Sequence, residues 1–584
     1  MADRQSGRAD VDWRTPTPLS EAIFEAKAAG LRLRRGLGDI LHRPERLRRA
    51  ETPSDLDLLA GRSTSRLWSD VADAERDLEL GKVHNLRQAA RRLDGLLIPA
   101  RTPFSFWRQV GSPNRRRGYV NGRMLREGCL VASTGGGLCQ LSNALYQAAL
   151  EANCDILERH RHSRIVPGSA AEAGNDATVA WNYVDLRFAA DRDLRLGVGL
   201  DPTSLTVSLY SAAAAPVASS SRNRVTIPTL ETARSCGACG ETECHRHRSP
   251  ARPSDCTAFV VDGAAPEFRA YVTAVRQPGD LIAVPLDGRR WGLRRYAWAT
   301  EGFEAVLEAP LWAARRALAW RTTPQQGPAR REAEVRTSAA LAAALGRRLP
   351  PGATHLVIAQ SLAPYLWRLG HLGGRSFDIL MGRLPIAELQ ARLDAAFAIH
   401  PERRSLADYR APAWLAAGEA EVLAAADRLV TPHAEIGAMF GDRAVRLDWA
   451  TPAAARRSAG AVIGFPGPTV ARKGAFEVRE AIRTLGLALR PLGAELEGED
   501  FWNGIKRDRA PPGGSWLGGL AAVVQPALVE ESPRALLAAL AAGAPVIATP
   551  ACGLRPQAGL TLIEAGDPHA LVVALAAQSL ESRL

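Results

Sequence analysis

The stretch AVIGFPGPTVARKGAFEVREAIRTLG, Ala461 to Gly486, decides the fold. A short apolar run predicts a strand, a loop rich in glycine and proline ends it, and apolar residues three and four apart then predict a helix. Strand, loop and helix in that order open a parallel βαβ unit. The loop brings Arg472 and Lys473 to the helix start. Unpaired backbone N–H groups and the positive end of the helix dipole favour an anion there, and two cations suit a diphosphate. The plainer alternative for Lys473 is a solvated cation at a helix start.

The same alternation extends in both directions. VVQPALVEESPRALLAALAAGAPVIATPACG (Val523 to Gly553) reads strand, acidic turn, helix, glycine turn, strand, with Glu530 at a strand's carboxyl end, where ligands bind in such sheets. Upstream, TAFVVDG, DLIAVPL, THLVIAQSL, FDILMGRLP and RLVTPH are further apolar strand candidates, separated by helices such as PIAELQARLDAAFAIH. From Thr257 onward the pattern predicts two doubly wound α/β domains side by side.

The chain has 584 residues, too many for one core. At 46% hydrophobic and 23% charged it reads as globular, and no apolar run reaches the roughly 18 residues of a membrane span. The polar start MADRQSGRADVDWRTPTP is unlike a secretory signal, so a cytoplasmic location is expected. The net charge is +12, and only four of the 74 basic residues are lysine. The basic cluster LRLRRGLGDILHRPERLRR (Leu31 to Arg49) reads most plainly as a solvated basic helix, with contact to anionic lipid or nucleic acid as the alternative.

The first segment runs to about Ala215 and ends in half-buried strands, VDLRFAA and LTVSLYSAA. It contains STGGGLCQLSNALYQAAL (Ser133 to Leu150), a glycine triplet followed by Cys139 at a helix start. A thiol there has a lowered pKa. Gly135, Gly136 and Gly137 allow close backbone approach. A thiolate nucleophile needs a base and an orienter. ILERHRHSRIVPG offers His160 and His162 on one face of an expected strand, and NDATVAWNYVDLRF offers Asp176 and Asp185. Cys139 with His162 as base and Asp176 as orienter is the preferred set, in an order that resembles transglutaminase-like and papain-like thiol enzymes. The alternative is a structural turn with a packing cysteine; Cys129 and Cys154 are read as packing residues.

Residues Asn85 to Asp185 also resemble the VanW family, through TPFSFWRQVG, RGYVNGRML, TGGGLCQLSNALYQAAL, ERHRHS, NDATV and VDLRF. That resemblance implies an envelope context and supplies no mechanism.

SCGACGETECHRHRSPARPSDC places Cys236, Cys239, Cys244 and Cys256 in C-x2-C-x4-C-x11-C spacing, beside His245 and His247. Four thiolates so close suit zinc or an iron–sulfur cluster equally, with a reduced cysteine cluster or a disulfide knot as the alternative.

The C-terminal pieces resemble GT-B glycosyltransferases of the family-four type. The resemblance implies a nucleotide-sugar donor held by Lys473 and Glu530, with retaining-type transfer; Arg472 and Gly464 are the further candidate donor-binding residues. A second glutamate is expected eight residues after Glu530, but Ala538 stands there, and Pro468 and Thr469 stand where an arginine is usual.

The expected architecture is multidomain: an α+β VanW-like domain (1–220), a Cys-rich metal knuckle (221–257), and a GT-B-like pair of Rossmann-like domains for acceptor (258–450) and donor (451–584). The expected function is a cytosolic VanW-like/glycosyltransferase fusion acting on a cell-envelope or surface precursor, peripheral at the inner face of an anionic membrane, with no specific nucleic-acid binding. The alternatives are a Cys139-dependent amidase or acyltransferase, and a catalytically degenerate GT-B binding scaffold.

Overall fold

The computed structural model describes residues 16–581 apart from 42–43, 51–54, 72, 127–128, 163–175, 214–233, 236–240, 242, 247–254, 326, 409, 455–456 and 510–514. The chain divides into two compact units. The first is Met1–Asp255 with Pro350–Thr354 and Gly370–Arg375; the second is the remainder.

The first unit runs α1 (Pro18–Leu41), β1 (Leu58–Arg66), α2 (Arg76–Leu93), β2 (Leu97–Ile98), β3 (Phe104–Ser105), α3 (Phe106–Val110), β4 (Asn121–Arg126), β5 (Cys129–Thr134), α4 (Cys139–Glu151), β6 (Asp155–Glu158), β7 (Arg187–Ala189), β8 (Leu194–Leu200), β9 (Ser204–Ser211) and β10 (Arg234–Ser235). Its largest sheet is antiparallel, ordered β1-β9-β8-β2. Alternation in β9 buries Leu205, Val207 and Leu209, and α4 packs on that face through Leu141, Leu145, Ala148 and Ala149. Each fully buried leucine contributes roughly 1.5–3 kcal/mol. Gly61 lets β1 approach the α4 backbone, because a Cβ there would collide with the Ala148 carbonyl.

Two expectations differ from the structure. The strand expected to carry His160 and His162 stops at Glu158, since its partner β7 begins at Arg187 and Glu158↔Arg187 is the last pair in register. The basic stretch from Leu31 to Arg49 is not one helix: α1 ends at Leu41, and residues 44–49 are not helical.

The second unit opens with β11 (Cys256–Val260), α5 (Pro266–Val275), β12 (Leu281–Val284), β13 (Ala305–Glu308), α6 (Pro310–Thr322), α7 (Pro328–Gly346), β14 (Ala353–Ala359), α8 (Ala363–Arg368), β15 (Ser376–Leu380), α9 (Ile386–Ile399), α10 (Ala413–Ala425), β16 (Arg428–Thr431), α11 (Ala434–Phe440) and β17 (Ala444–Arg446). These strands form one sheet, β13-β12-β11-β14-β15-β16-β17. Then come β18 (Val462–Phe465), α12 (Ala475–Leu485), β19 (Ala488–Pro491), β20 (Lys506–Arg507), β21 (Leu520–Gln525), α13 (Arg534–Ala541), β22 (Val546–Ala548), β23 (Leu560–Leu562) and α14 (Pro568–Glu581), in a parallel sheet ordered β20-β19-β18-β21-β22-β23. In each sheet the chain winds to one edge and then returns to the other side of its first strand. Strand order therefore reverses at β11/β14 and again at β18/β21, where open α/β sheets present their ligand crevices. The strands are short apolar runs because helices cover both faces.

Candidate functional site

The loop after β18 and the loop after β21 flank the reversal point of the second sheet. The first turns through Ala471–Lys473 to Gly474, whose φ of +83° and contact with the Pro526 carbonyl leave no room for a Cβ. Lys473 Nζ donates to the Val529 carbonyl at 3.0 Å and to Glu530 Oε2 at 2.9 Å. Glu530 Oε1 accepts from the Glu531 and Ser532 N–H groups at 2.8 and 2.9 Å, and Gln525 Nε2 bonds Oε2. The Arg472 carbonyl accepts from Leu528 N at 3.0 Å, tying the two loops together.

Lys473, Arg472 and Glu530 are thus brought together. Gly464 is not in the loop: it lies inside β18, paired with Arg490 and Val523, and a Cβ there would press on Leu520. Ala538 is half-buried on α13. Thr469, where the resemblance would place an arginine, is buried and accepts from the Trp502 indole at 3.2 Å.

Sequence reasoning missed Gln525, His433 and Glu267. His433, after β16, is buried with its ring against Gly553 and Nε2 3.2 Å from the Ala551 carbonyl; burial lowers its pKa and keeps it neutral. Glu267, on the first turn of α5, takes a bidentate pair from Arg534 of α13 at 2.5 Å and the Ala450 N–H at 2.7 Å. Burial raises its pKa, but Arg534 outweighs that and the net shift is downward. A glutamate directly before a phenylalanine was no signal by itself; its partner is 267 residues away. At the first sheet's reversal point the Asp262 carboxylate is taken by Arg316 at 2.5 and 2.9 Å and by Ser361 at 3.1 Å.

In the first unit, Cys139 is the first residue of α4, after Gly135 (φ +81°) and Gly137 (φ +95°). A Cβ on Gly137 would collide with the side chain of buried Lys82, which pairs with Glu79 at 2.5 Å. Asn85 of α2 clamps the loop: its Nδ2 donates to the Gly136 and Val120 carbonyls at 2.9 and 3.0 Å, and its Oδ1 accepts from Val120 N at 3.0 Å. The Cys139 thiol lies 3.6 Å from Thr178 Oγ1 and 3.7 Å from the Val179 carbonyl, and the His162 side chain hydrogen-bonds it. Asp176 Oδ2 is 2.7 Å from His162 Nδ1 and accepts the His162 N–H at 2.6 Å. Arg159 donates to the Asp176 carbonyl at 2.7 Å and to its Oδ1 at 3.3 Å, and Asn143, four residues past Cys139, receives the Ala177 N–H at 2.7 Å.

Burial opposes charge at all three groups, and their mutual contacts outweigh it. The Cys139 thiol is pulled down by His162; the His162 imidazole is pushed up to about 10 by Asp176 and Cys139; Asp176 is held below the usual carboxylate range by His162. These shifts favour proton transfer from the thiol to the imidazole, the direction in which a cysteine becomes nucleophilic. Cys154, buried without such a partner, is pushed up to about 12. Asp185 serves elsewhere, accepting from Ser105, Trp107 N and Arg187. His160 meets Glu158 at 3.3 Å.

Of the four cysteines with metal-ligand spacing, Cys236 and Cys239 lie outside the described residues. Among the described residues no group of three or more His, Cys, Asp or Glu side chains could hold a metal ion. His245 is instead 2.7 Å from Glu21 of α1.

The second unit is thus a pair of doubly wound sheets with a charged pair at one reversal point, and the first an α+β unit with a Cys–His–Asp constellation. Residues 81–210 match the family described as VanW like protein. Two curated relatives align with this region. The vancomycin B-type resistance protein VanW of Enterococcus faecalis is 38% identical over 137 residues, 22% of this chain and 49% of that protein. The uncharacterized protein YoaR of Bacillus subtilis is 34% identical over 134 residues, 23% of this chain and 43% of that protein. The chain therefore spans less than half the length of either relative. Among solved structures, the lipopolysaccharide outer core galactosyltransferase WaaB in its apo form aligns over 56% of this chain and 91% of its own, at 14% identity and a TM-score of 0.32, a score too low to carry an argument here.

Proposed function

We propose that the second unit is a GT-B-type, retaining glycosyltransferase that moves a sugar from a nucleotide-sugar donor to a cell-envelope or surface precursor. The observation that carries the reading is the Lys473–Glu530 pair at the β18/β21 reversal point, ringed by Gln525 and neutral His433. In this reading the donor diphosphate takes Lys473 and the N–H groups at the start of α12, and Glu530 turns to the hydroxyls of the donor. The VanW likeness of residues 81–210 supports the envelope acceptor in this reading, and a peripheral position at the inner face of an anionic membrane is part of the proposal. A thermal-shift series with uridine, guanosine and thymidine diphosphate sugars tests it: a binding donor raises the melting temperature with concentration, and a flat response to all of them contradicts it.

A second reading is favoured by the Cys139–His162–Asp176 geometry. The Cys139 thiolate attacks an amide carbonyl, the amine leaves with the proton of His162, and water or an acceptor amine then cleaves the thioester, returning a proton to His162. Asp176 holds the imidazole in register throughout. This chemistry acts beside sugar transfer and does not replace it.

A further inference from the structure

α1 is turned inside out. Residues 21, 25, 28, 32, 35 and 39 recur at alternating spacings of four and three, and this polar stripe faces the body of the first unit. Arg126 pairs with Glu21 at 2.7 Å and Glu25 at 2.5 Å; Arg35 meets Glu158 at 2.6 Å; Arg187 meets Asp39 at 3.0 Å; Arg32 donates to the Trp181 carbonyl at 3.0 Å. Ala28, in the middle of the stripe, is 2% exposed. The opposite stripe has the same spacing and is apolar: Leu19, Ile23, Leu33, Leu37 and Ile40, with small Ala26 and Gly30 between them. The five large side chains are 47–76% exposed. Water-facing positions of an amphipathic helix are normally polar, and an apolar stripe of this length marks a docking face.

Charge selects the occupant. The acids of α1 are turned to the body and neutralised there, whereas Lys27 and Arg34 stand exposed along one edge of the apolar stripe, with no ion-pair partner among the described residues. In an antiparallel pair with a second copy, Lys27 and Arg34 would face their own counterparts. In a parallel pair they would face Ala22 and Ala29. Neither arrangement is complementary. An anionic bilayer surface is: the leucines enter the headgroup boundary while the two cations meet lipid phosphates. No helix among the described residues is long and apolar enough to cross a membrane, so contact of this kind lies in the plane of the surface.

We propose that the outer face of α1 is a docking surface for an anionic phospholipid bilayer. This deepens the membrane-peripheral part of the function proposed above and is independent of sugar transfer.

Sedimentation of the full chain with phosphatidylcholine vesicles, with and without phosphatidylglycerol, tests it. The protein is expected to pellet with the mixed vesicles and far less with phosphatidylcholine alone. Leu33→Glu/Leu37→Glu removes two anchors and is expected to lower partitioning on the order of a hundredfold. Lys27→Glu/Arg34→Glu is expected to abolish the preference for phosphatidylglycerol, and Leu311→Glu, an exposed leucine of α6, to change nothing. The altered side chains are exposed, so unchanged melting curves certify folding. Wild-type protein that stays in the supernatant with both vesicle types overturns the proposal, as does equal pelleting of wild type and Leu33→Glu/Leu37→Glu. A dimer by light scattering that the leucine variant splits, without vesicle binding, assigns the face to a second copy instead. Nucleotide-sugar binding measured on the same samples separates failure of this surface from failure of the transferase reading.

Discussion

Lys473 Nζ lies 2.9 Å from Glu530 Oε2, joining the two loops that flank the β18/β21 reversal point. Both side chains are largely buried, at 13% and 10% exposure, so neither charge is satisfied by water alone. In the transferase reading proposed above, a diphosphate entering this crevice would compete with Glu530 for the lysine and free Glu530 to meet donor hydroxyls.

That competition gives different outcomes for nucleotide and nucleotide sugar. Glu530→Gln leaves Lys473 without its anionic partner, so a nucleoside diphosphate alone is expected to bind as well as to wild type or better. The sugar nucleotide loses its hydrogen bonds to a charged acceptor, about 1.5–3 kcal/mol. Isothermal titration reads the ratio of the two affinities; a ratio unchanged by the substitution removes Glu530 from the sugar contact.

Cys139 is expected to be alkylated by iodoacetamide at pH values where Cys154 is inert. Its thiol is held low by His162, while that of Cys154 is pushed up to about 12. Mass spectrometry of the two peptides across neutral and mildly acid pH measures the difference, and His162→Ala should slow Cys139 at least tenfold near pH 6, since about 1.4 kcal/mol of lost thiolate stabilisation is a factor of ten. Equal rates for Cys139 and Cys154 would make Cys139 a packing residue in a glycine-shaped turn.

The His162–Asp176 pair carries a pH signature. His162 is raised to about 10, so its contribution is complete below the unfolded value near 6.5 and is lost as pH climbs toward 10. Asp176 is lowered, so its contribution is present above the unfolded carboxylate value and is lost as pH falls through its depressed pKa. Asp176→Asn should therefore cost most between roughly pH 4 and 6.5 and progressively less toward pH 10. Thermal midpoints of wild type and variant, recorded against pH, check this; a gap that widens toward pH 10 reverses the sign and rejects the pairing.

How far the sequence reveals this protein differs between its two halves. All eight apolar runs singled out in the C-terminal half contain strands, because a parallel strand covered on both faces must be apolar throughout and so announces itself. The short edge strands β13, β17, β20 and β23, and β19 next to one edge, gave no such signal. In the thiol site, Cys139, His162 and Asp176 were readable because each carries chemistry and sits in a distinctive local pattern. Asn85, Asn143 and Arg159 were not, because their hydrogen bonds depend on distant segments that only the fold brings near. The strand expected through His160 failed because strand length is set by the partner, β7, and not by the local pattern.

Asn85 offers a test of loop support without touching the thiol. Asn85→Ala removes three hydrogen bonds, one buried and two part-buried, and strands the Gly136 and Val120 backbone groups. The expected loss is about 2–4 kcal/mol, read as a lower denaturant midpoint for the first unit, together with slower alkylation of Cys139. A variant as stable and as reactive as wild type would show that the glycine loop holds itself.

The central claim rests on Lys473 as the diphosphate contact. Isothermal titration of the best-binding nucleotide sugar into wild type, Lys473→Ala and Lys506→Ala measures it directly. Lys506 is exposed on β20 and serves as the control. Loss of a charge-assisted phosphate contact should weaken binding by about 1.5–3 kcal/mol, roughly 10- to 150-fold, in Lys473→Ala alone. Equal affinities for Lys473→Ala and Lys506→Ala would contradict the donor site and, with it, the assignment of the second unit as a nucleotide-sugar transferase.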